Sequence, residues 1–156
     1  MRAYEIVSDG GVDALALNER LSPEPGVGEI LVAVRASAVN YRDLSTIEDP
    51  GQRGIVYPLV PNSDGAGEVI AVGDGVTRFK VGDRVAGCFF QNWSDGGISA
   101  VAMASAMGGA IDGVLAEEVV LNEAGAVHIP AHLSYEEGAT LPCAGLTAWN
   151  CLVEQG

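Results

Sequence analysis

Two histidines, His128 and His132, stand four residues apart, the spacing that puts two metal ligands on one face of a helix. Pro130 lies between them and Ala126-Val-His-Ile-Pro130 has the composition of a strand end, so the pair reads as a surface loop rather than a zinc site. No Cys-x-x-Cys occurs, which excludes a four-thiolate structural zinc site. Gly65-Ala-Gly67-Glu-Val-Ile70 approaches a G-x-G-x-x-G loop, but Ile70 takes the last glycine position. A dinucleotide loop must also open a helix whose N-terminus faces a pyrophosphate. Here the glycines run into the branched stretch Val69-Ile-Ala-Val72, which reads as a turn followed by a strand. There is no phosphate-cradling Walker loop, no G-x-S-x-G elbow and no H-E-x-x-H. Cys88, Cys143 and Cys151 are an odd number with no pairable short spacing, and read as reduced thiols.

The elements that would have to position any site are mostly strands. Glu29-Ile-Leu-Val-Ala-Val-Arg-Ala-Ser-Ala-Val39 is dense in branched apolar residues and follows the turn Pro23-Glu-Pro-Gly-Val-Gly28. Gly67–Gly73, Asp83–Phe89, Leu115–Leu121 and Ala126–Pro130 read as four more strands, with glycine and proline turns between them. That pattern, with 21 glycines for sharp corners, predicts a small barrel or sandwich rather than a βαβ series. The end of the chain changes character. Ser134-Tyr-Glu-Glu137 is a capping box, and Pro142 suits only the first turn of a helix. Leu146, Trp149 and Val153 then fall on one helical face. The stretch 95–113 reads as an insertion with a short helix within 99–107.

Charge narrows the function classes. Across 156 residues, 21 acids against 8 bases leave a net charge of −13. After Arg84 there is no lysine or arginine, while eight acids follow. A groove for nucleic-acid phosphates needs several cations on one face, and an anionic membrane surface attracts basic segments. Neither partner is expected. With 48% hydrophobic residues the chain can bury a core, which excludes wholesale disorder. Uncharged runs such as 98–111 are shorter than the roughly 20 apolar residues of a membrane span. The opening Met-Arg-Ala-Tyr-Glu-Ile carries no apolar leader core, so a cytoplasmic location is expected.

Pro58-Leu-Val-Pro-Asn-Ser-Asp-Gly-Ala-Gly-Glu-Val-Ile-Ala-Val-Gly-Asp-Gly-Val-Thr-Arg-Phe-Lys-Val-Gly-Asp-Arg-Val85 resembles the signature of the medium-chain dehydrogenase/reductase family, the alcohol dehydrogenase and quinone reductase superfamily. Ala38-Val-Asn-Tyr-Arg-Asp43 resembles its active-site loop and Asp112-Gly-Val-Leu-Ala-Glu-Glu-Val-Val120 its barrel-closing strand. Leu133-Ser-Tyr-Glu-Glu-Gly-Ala-Thr-Leu-Pro-Cys-Ala-Gly-Leu-Thr-Ala-Trp149 resembles the helix pair leading into its cofactor domain. The resemblance implies a mainly β, GroES-like barrel over residues 1–133 (α+β overall) and a helical segment over 134–156. That segment would lead to a Rossmann cofactor domain absent from this chain.

The resemblance also implies site residues. The positions of a catalytic-zinc Cys-His-Cys set are occupied by Asn40, Ser63 and Cys143, and the four-cysteine structural lobe keeps only Cys88. This implies a zinc-independent, quinone-reductase-like enzyme with NADP or NAD as cofactor and no metal. Asn40 and Tyr41 match positions facing nicotinamide and substrate, with simple loop packing as the other reading. Ser63 and Asp64 border the same cleft or merely form a turn, and Asp43 is expected to be a helix N-cap. Thr147 matches a nicotinamide contact, and Cys143 reads as a small buried apolar residue. Phe89, Phe90 and Trp93 either wall an apolar substrate pocket or belong to the core. The expected catalytic set is therefore Tyr41, Asn40 and Asp64, with Asn40 and Thr147 at the cofactor and Ser63, Phe90 and Trp93 at the substrate.

The expected function is that of the catalytic portion of an NAD(P)(H)-dependent oxidoreductase, inactive alone, moving hydride between nicotinamide and a small alcohol, carbonyl, enone or quinone. The alternative is a free-standing GroES-like binding module, or a subunit completed by another chain. Leu146, Trp149 and Val153, left bare, are expected to drive self-association.

Overall fold

Branched apolar residues make the central strand, β3 (Glu29–Ala38), in which Ile30, Leu31 and Val32 are buried. The computed structural model describes residues 1–156. β3 lies between β6 (Glu118–Asn122) and β4 (Asp64–Val72) in a five-stranded antiparallel sheet that β5 (Arg84–Gly87) and β7 (Ala126–His128) continue. Two register shifts in the β3–β4 pair, between Leu31 and Val32 and between Val34 and Ala36, interrupt the ladder. Such bulges bend a strand and increase its twist, and the sheet curls into a half-barrel with the helical segment beyond it. Ile30, Val32, Val69, Val85 and Leu121 meet on the inner face with Phe79 and Met107.

A separate pair, β1 (Arg2–Ile6) and β2 (Leu15–Glu19), closes one end. Sequence pattern does not mark these strands, because β1 buries a carboxylate: Glu5 accepts from Asn18 Nδ2 at 2.6 Å and pairs with Arg20 at 3.3 Å. β1 also draws off part of the strand expected over 115–121. Tyr4 N–H donates to Leu115 O and Glu117 N–H to Arg2 O, so β6 begins only at Glu118.

Three other boundaries move. β4 starts three residues earlier than expected, which places Asp64 on a strand. β5 stops at Gly87, releasing Cys88 and Phe89 from the sheet. The helix expected within 99–107 is the single turn α2 (Ala100–Met103), capped by Ser99 Oγ on Ala102 N–H at 3.1 Å.

Helix α1 (Tyr41–Glu48) follows β3 directly. Asn40 is its N-cap residue and Asp43 sits at N3, its carboxylate reaching back to Asn40 N–H at 2.9 Å. Asp43 is therefore the N3 partner, not the N-cap. The capping box at Ser134 forms as the pattern predicts, opening α3 (Tyr135–Ala139). α3 packs Ala139 and Gly138 against Ile129, and Arg84 stacks on Tyr135 and donates to Leu133 O at 2.6 Å.

Beyond α3 the chain stays helical but wide. Leu141–Gly145 and Asn150–Glu154 wind with five-residue spacing around α4 (Leu146–Trp149). Pro142 has no N–H to give to an ordinary helical ladder, and Gly145 N–H reaches back to Thr140 O instead. Leu146, Trp149 and Val153 stand 62%, 59% and 55% exposed.

Close strand approach fixes one glycine. A Cβ on Gly67 of β4 would stand 2.2 Å from Ala33 O and 2.7 Å from Val32 Cγ1. Gly67→Ala is expected to lower the urea midpoint by an amount worth about 2–3 kcal/mol. Gly97→Ala, whose Cβ would meet nothing within 4 Å, should stay within about 0.5 kcal/mol of the parent. Equal midpoints for the two variants would contradict this packing.

Candidate active site

Where β5 ends, the chain turns out of the sheet and residues 88–93 fold back on 105–107. Met107 N–H donates to Phe89 O at 3.0 Å and Gln91 N–H to Ser105 O at 3.2 Å. Gln91, itself buried, fastens this segment from beneath: Nε2 donates to Cys88 O and Gly125 O, and Oε1 accepts from Asn122 N–H. Three aromatic rings are thereby set edge to face in a row. Phe89 and Phe90 have centroids 4.7 Å apart, and Phe90 and Trp93 5.5 Å.

This row forms one wall of a cavity of about 640 Å³. Val127, Ile129 and Pro130 form its floor, and the opposite wall is helical, from Leu141 through Cys143 to Thr147. No Asp, Glu, Lys or Arg side chain lines it. Its polar side-chain groups are the Thr147 hydroxyl, the Cys88 and Cys143 thiols, the His128 ring and the Trp93 indole, whose N–H is engaged with Asp95 O and Gly96 O. Burial pushes the Cys143 thiol up, and Asp64 and Asp43 push it the same way, so the neutral thiol is favoured. Burial raises Cys88 as well. His128 stacks on Phe79 at 4.6 Å.

Directly behind the helical wall lies a buried polar cluster. Asp64, the first residue of β4, is 0% exposed. One carboxylate oxygen accepts Cys143 N–H at 3.1 Å and the other accepts from Ser63 Oγ at 3.3 Å. Asp43 is equally buried. Burial raises both carboxyls above the ordinary carboxylate value, and Asp43 adds to the rise at Asp64. The nearby Asn40 amide and the hydrogen bonds from Cys143 N–H and Ser63 Oγ oppose the rise at Asp64 without cancelling it. Arg42, between the carboxylates and the aromatic wall, is held below its ordinary value by burial, with Asp43 opposing. Asn40 Nδ2, Arg42 Nε and Asp43 Oδ1 are buried without hydrogen-bond partners.

The expected site residues thus divide into three places. Phe90, Trp93 and Thr147 line the cavity. Asn40, Ser63 and Asp64 belong to the cluster behind it, joined to the cavity through Cys143. Tyr41 stands on the first turn of α1, 86% exposed, outside the cavity lining. Sequence reasoning passed over Arg42, although one signal was present: a cation in the first turn of a helix opposes the helix dipole, so something else must hold it there.

Zinc can be tested against the donors. Asn40 offers a neutral amide, Ser63 Oγ is engaged with Asp64, and the Cys143 thiol is raised. Catalytic zinc takes three protein ligands, its cysteines as thiolates. These residues do not fit it.

Residues 26–131 match the alcohol dehydrogenase GroES-like domain family. A zinc-type alcohol dehydrogenase-like protein of Schizosaccharomyces pombe is 43% identical over 143 residues, covering 91% of this chain and 41% of its own. A chloroplastic quinone-oxidoreductase of Triphysaria versicolor is 36% identical over 152 residues, covering 93% of this chain and 39% of its own. The crystal structure of an NAD-dependent alcohol dehydrogenase superposes with a TM-score of 0.86 at 33% identity, over 99% of this chain and 47% of the other. The chain spans about two fifths of the length of these curated relatives.

The raised carboxyls have a consequence for stability. An acid whose folded value is raised binds its proton more tightly when folded, so its contribution is fully present below the unfolded value and is lost as pH rises through the folded one. Asp43 and Asp64 are therefore expected to contribute a loss of stability as pH climbs through their raised range, against the gain that the lowered carboxyls of Asp83, Glu117, Glu123 and Glu136 contribute at lower pH. Asp64→Asn, which keeps an oxygen for Cys143 N–H, should flatten that loss. An identical pH dependence of the thermal midpoint in the variant would contradict the assignment.

Proposed function

We propose that this chain, which belongs to the alcohol dehydrogenase GroES-like domain family, is the substrate-binding and catalytic portion of a zinc-independent NAD(P)(H)-dependent oxidoreductase. The observation that carries the reading is the cavity itself: an aromatic wall faces the Thr147 hydroxyl, with no charged side chain in the lining. A nicotinamide, when bound, supplies or accepts the hydride. The ring end of such a cofactor fits the apolar helical wall, where Thr147 offers the hydrogen-bonding hydroxyl and Leu146 and Pro142 exclude water. Its phosphates do not fit here, since residues 85–156 contain no lysine or arginine and the glycines of β4 open a strand. They are held by residues outside this chain.

The lining also defines the substrate. A carboxylate or phosphate entering it would lose water without gaining a counter-ion, beside carboxyls already buried at Asp64 and Asp43. The substrate is therefore a neutral, apolar carbonyl, enone or quinone, or the corresponding alcohol. Its oxygen is oriented by a hydrogen bond from the Thr147 hydroxyl, which lines the cavity, while Asn40 acts from the cluster behind the helical wall. Asp64 orients Cys143, and with it the wall, rather than touching substrate. The exposed face of Leu146, Trp149 and Val153 suits a second copy or a further part of the protein.

A chimera tests this. Residues 1–156 replace the matched segment of the Schizosaccharomyces pombe relative, and NADPH or NADH oxidation is followed with a dimethylnaphthoquinone and with pyruvate. Turnover is expected with the quinone alone, unchanged by a metal chelator. Thr147→Val should lower kcat about tenfold, the loss of one hydrogen bond made in the transition state. A folded chimera that binds cofactor but reduces nothing would favour a binding module without chemistry. Turnover by residues 1–156 alone would overturn the division between catalytic portion and cofactor site.

A further inference from the structure

The aromatic wall is a loop, not a strand, and its outer side is tied to α1 by one side chain. Arg42 Nη1 donates to Gly108 O at 2.6 Å, and Nη2 donates to Met107 O. The same guanidinium lies over the Phe89 ring, 4.6 Å from its centroid. Met107 is hydrogen-bonded to Phe89, and Phe90 bridges Ala106, so the two carbonyls that Arg42 holds belong to the segment backing the wall. On its other side Nη2 stands 3.6 Å from Asp43 Oδ1, within the cluster that reaches Cys143 and the helical wall through Asp64. Arg42 is the one side chain that touches both the aromatic segment and the carboxylate cluster behind the opposite wall.

Local packing supports a fixed position for the guanidinium. A Cβ on Gly109 would stand 2.9 Å from Arg42 Nη1, and one on Gly108, whose φ is +63°, would meet the Asn62 backbone at 2.7 Å. The two glycines let the loop lie flat between the guanidinium and the turn that presents Ser63 and Asp64. Lysine cannot reproduce this contact, because an ammonium neither forks onto two carbonyls nor stacks as a plane.

We propose that Arg42 is a positioning residue for substrate specificity, holding the aromatic wall close enough to the helical wall for a flat two-ring ligand to be gripped between them. The proposal rests on the reading of this cavity as the substrate site. Arg42 touches no substrate. It acts through Phe89 and the Met107–Gly108 carbonyls, so its loss widens and loosens the wall and penalises a flat two-ring ligand far more than a small ketone.

The experiment is a titration of the full chain followed by the Trp93 indole N–H resonance, assigned by comparison with Trp149→Phe. Tetralone is the two-ring probe and butanone the small one. In Arg42→Met, tetralone affinity is expected to fall about tenfold and butanone affinity less than about twofold. Arg42→Lys should lie between parent and Met, and Gly109→Ala, which displaces the guanidinium without removing its charge, should resemble Lys. Arg35→Met, which removes an exposed pair with Glu68, is the control and should leave both affinities unchanged. If Arg42→Met fails to fold, the Lys and Gly109→Ala variants decide the matter. Equal weakening of both probes would mean that Arg42 only stabilises the fold, and unchanged tetralone affinity would mean that it does not set the wall; either result overturns the proposal. Binding of neither probe to the parent chain would instead refute the cavity as substrate site, and the role of Arg42 would fall with it.

Discussion

Asp64 sits fully buried where β4 begins, and a carboxyl taken out of water must find hydrogen-bond donors or lose its charge. One of the donors it finds is the amide of Cys143, seventy-nine residues along the chain. That contact joins the sheet to the helical segment just after Pro142, at the end of a helix whose first amides have no intrahelical acceptor. A carboxylate there also meets the positive end of the helix dipole. The cavity exists because this one link holds Leu141–Thr147 opposite the loop that leaves β5. Without it the helical segment would be held through α3, whose Ala139 packs with Ala66, Ala86 and Ile129 and whose Tyr135 ring lies under Arg84.

The same link divides labour between the two sides of the cavity. Carboxyl and guanidinium groups are kept in the cluster behind the helical wall, where Arg42 and Asp43 oppose each other's burial shift while Asp43 adds to the rise at Asp64. The lining itself carries hydroxyl, thiol, imidazole and indole groups and no ionised carboxylate, ammonium or guanidinium. A low-dielectric cavity strengthens each hydrogen bond made inside it and disfavours any ligand charge left unpaired. Under the proposed function, binding comes from ring surface and orientation from a few uncharged groups.

How far the sequence revealed this depended on whether the signal was local. The capping box at Ser134 and the branched run of β3 are local, and both are where pattern places them, whereas Gly65 and Gly67, read as a turn before a strand, lie within β4 itself. β1 and β2 were invisible because Glu5 faces inward, and only Asn18 and Arg20 make that tolerable. Asp43 was assigned the wrong capping position because Asn and Asp both cap helices, and only the start of α1 at Tyr41 separates their roles. Asp64, expected at the cleft as a catalytic residue or else in a turn, instead opens β4 and holds the Cys143 amide. Arg42 could not be found by any motif, since its partners are backbone carbonyls sixty-five and sixty-six residues away.

Native-state hydrogen exchange at the Cys143 amide tests the link on which the cavity depends. Cys143 N–H is expected to exchange nearly as slowly as the Val69 amide of the β4 core, and to accelerate sharply in Asp64→Ala while the Val69 amide stays protected. Rapid exchange at Cys143 in the parent chain, or protection that survives Asp64→Ala, would contradict the account.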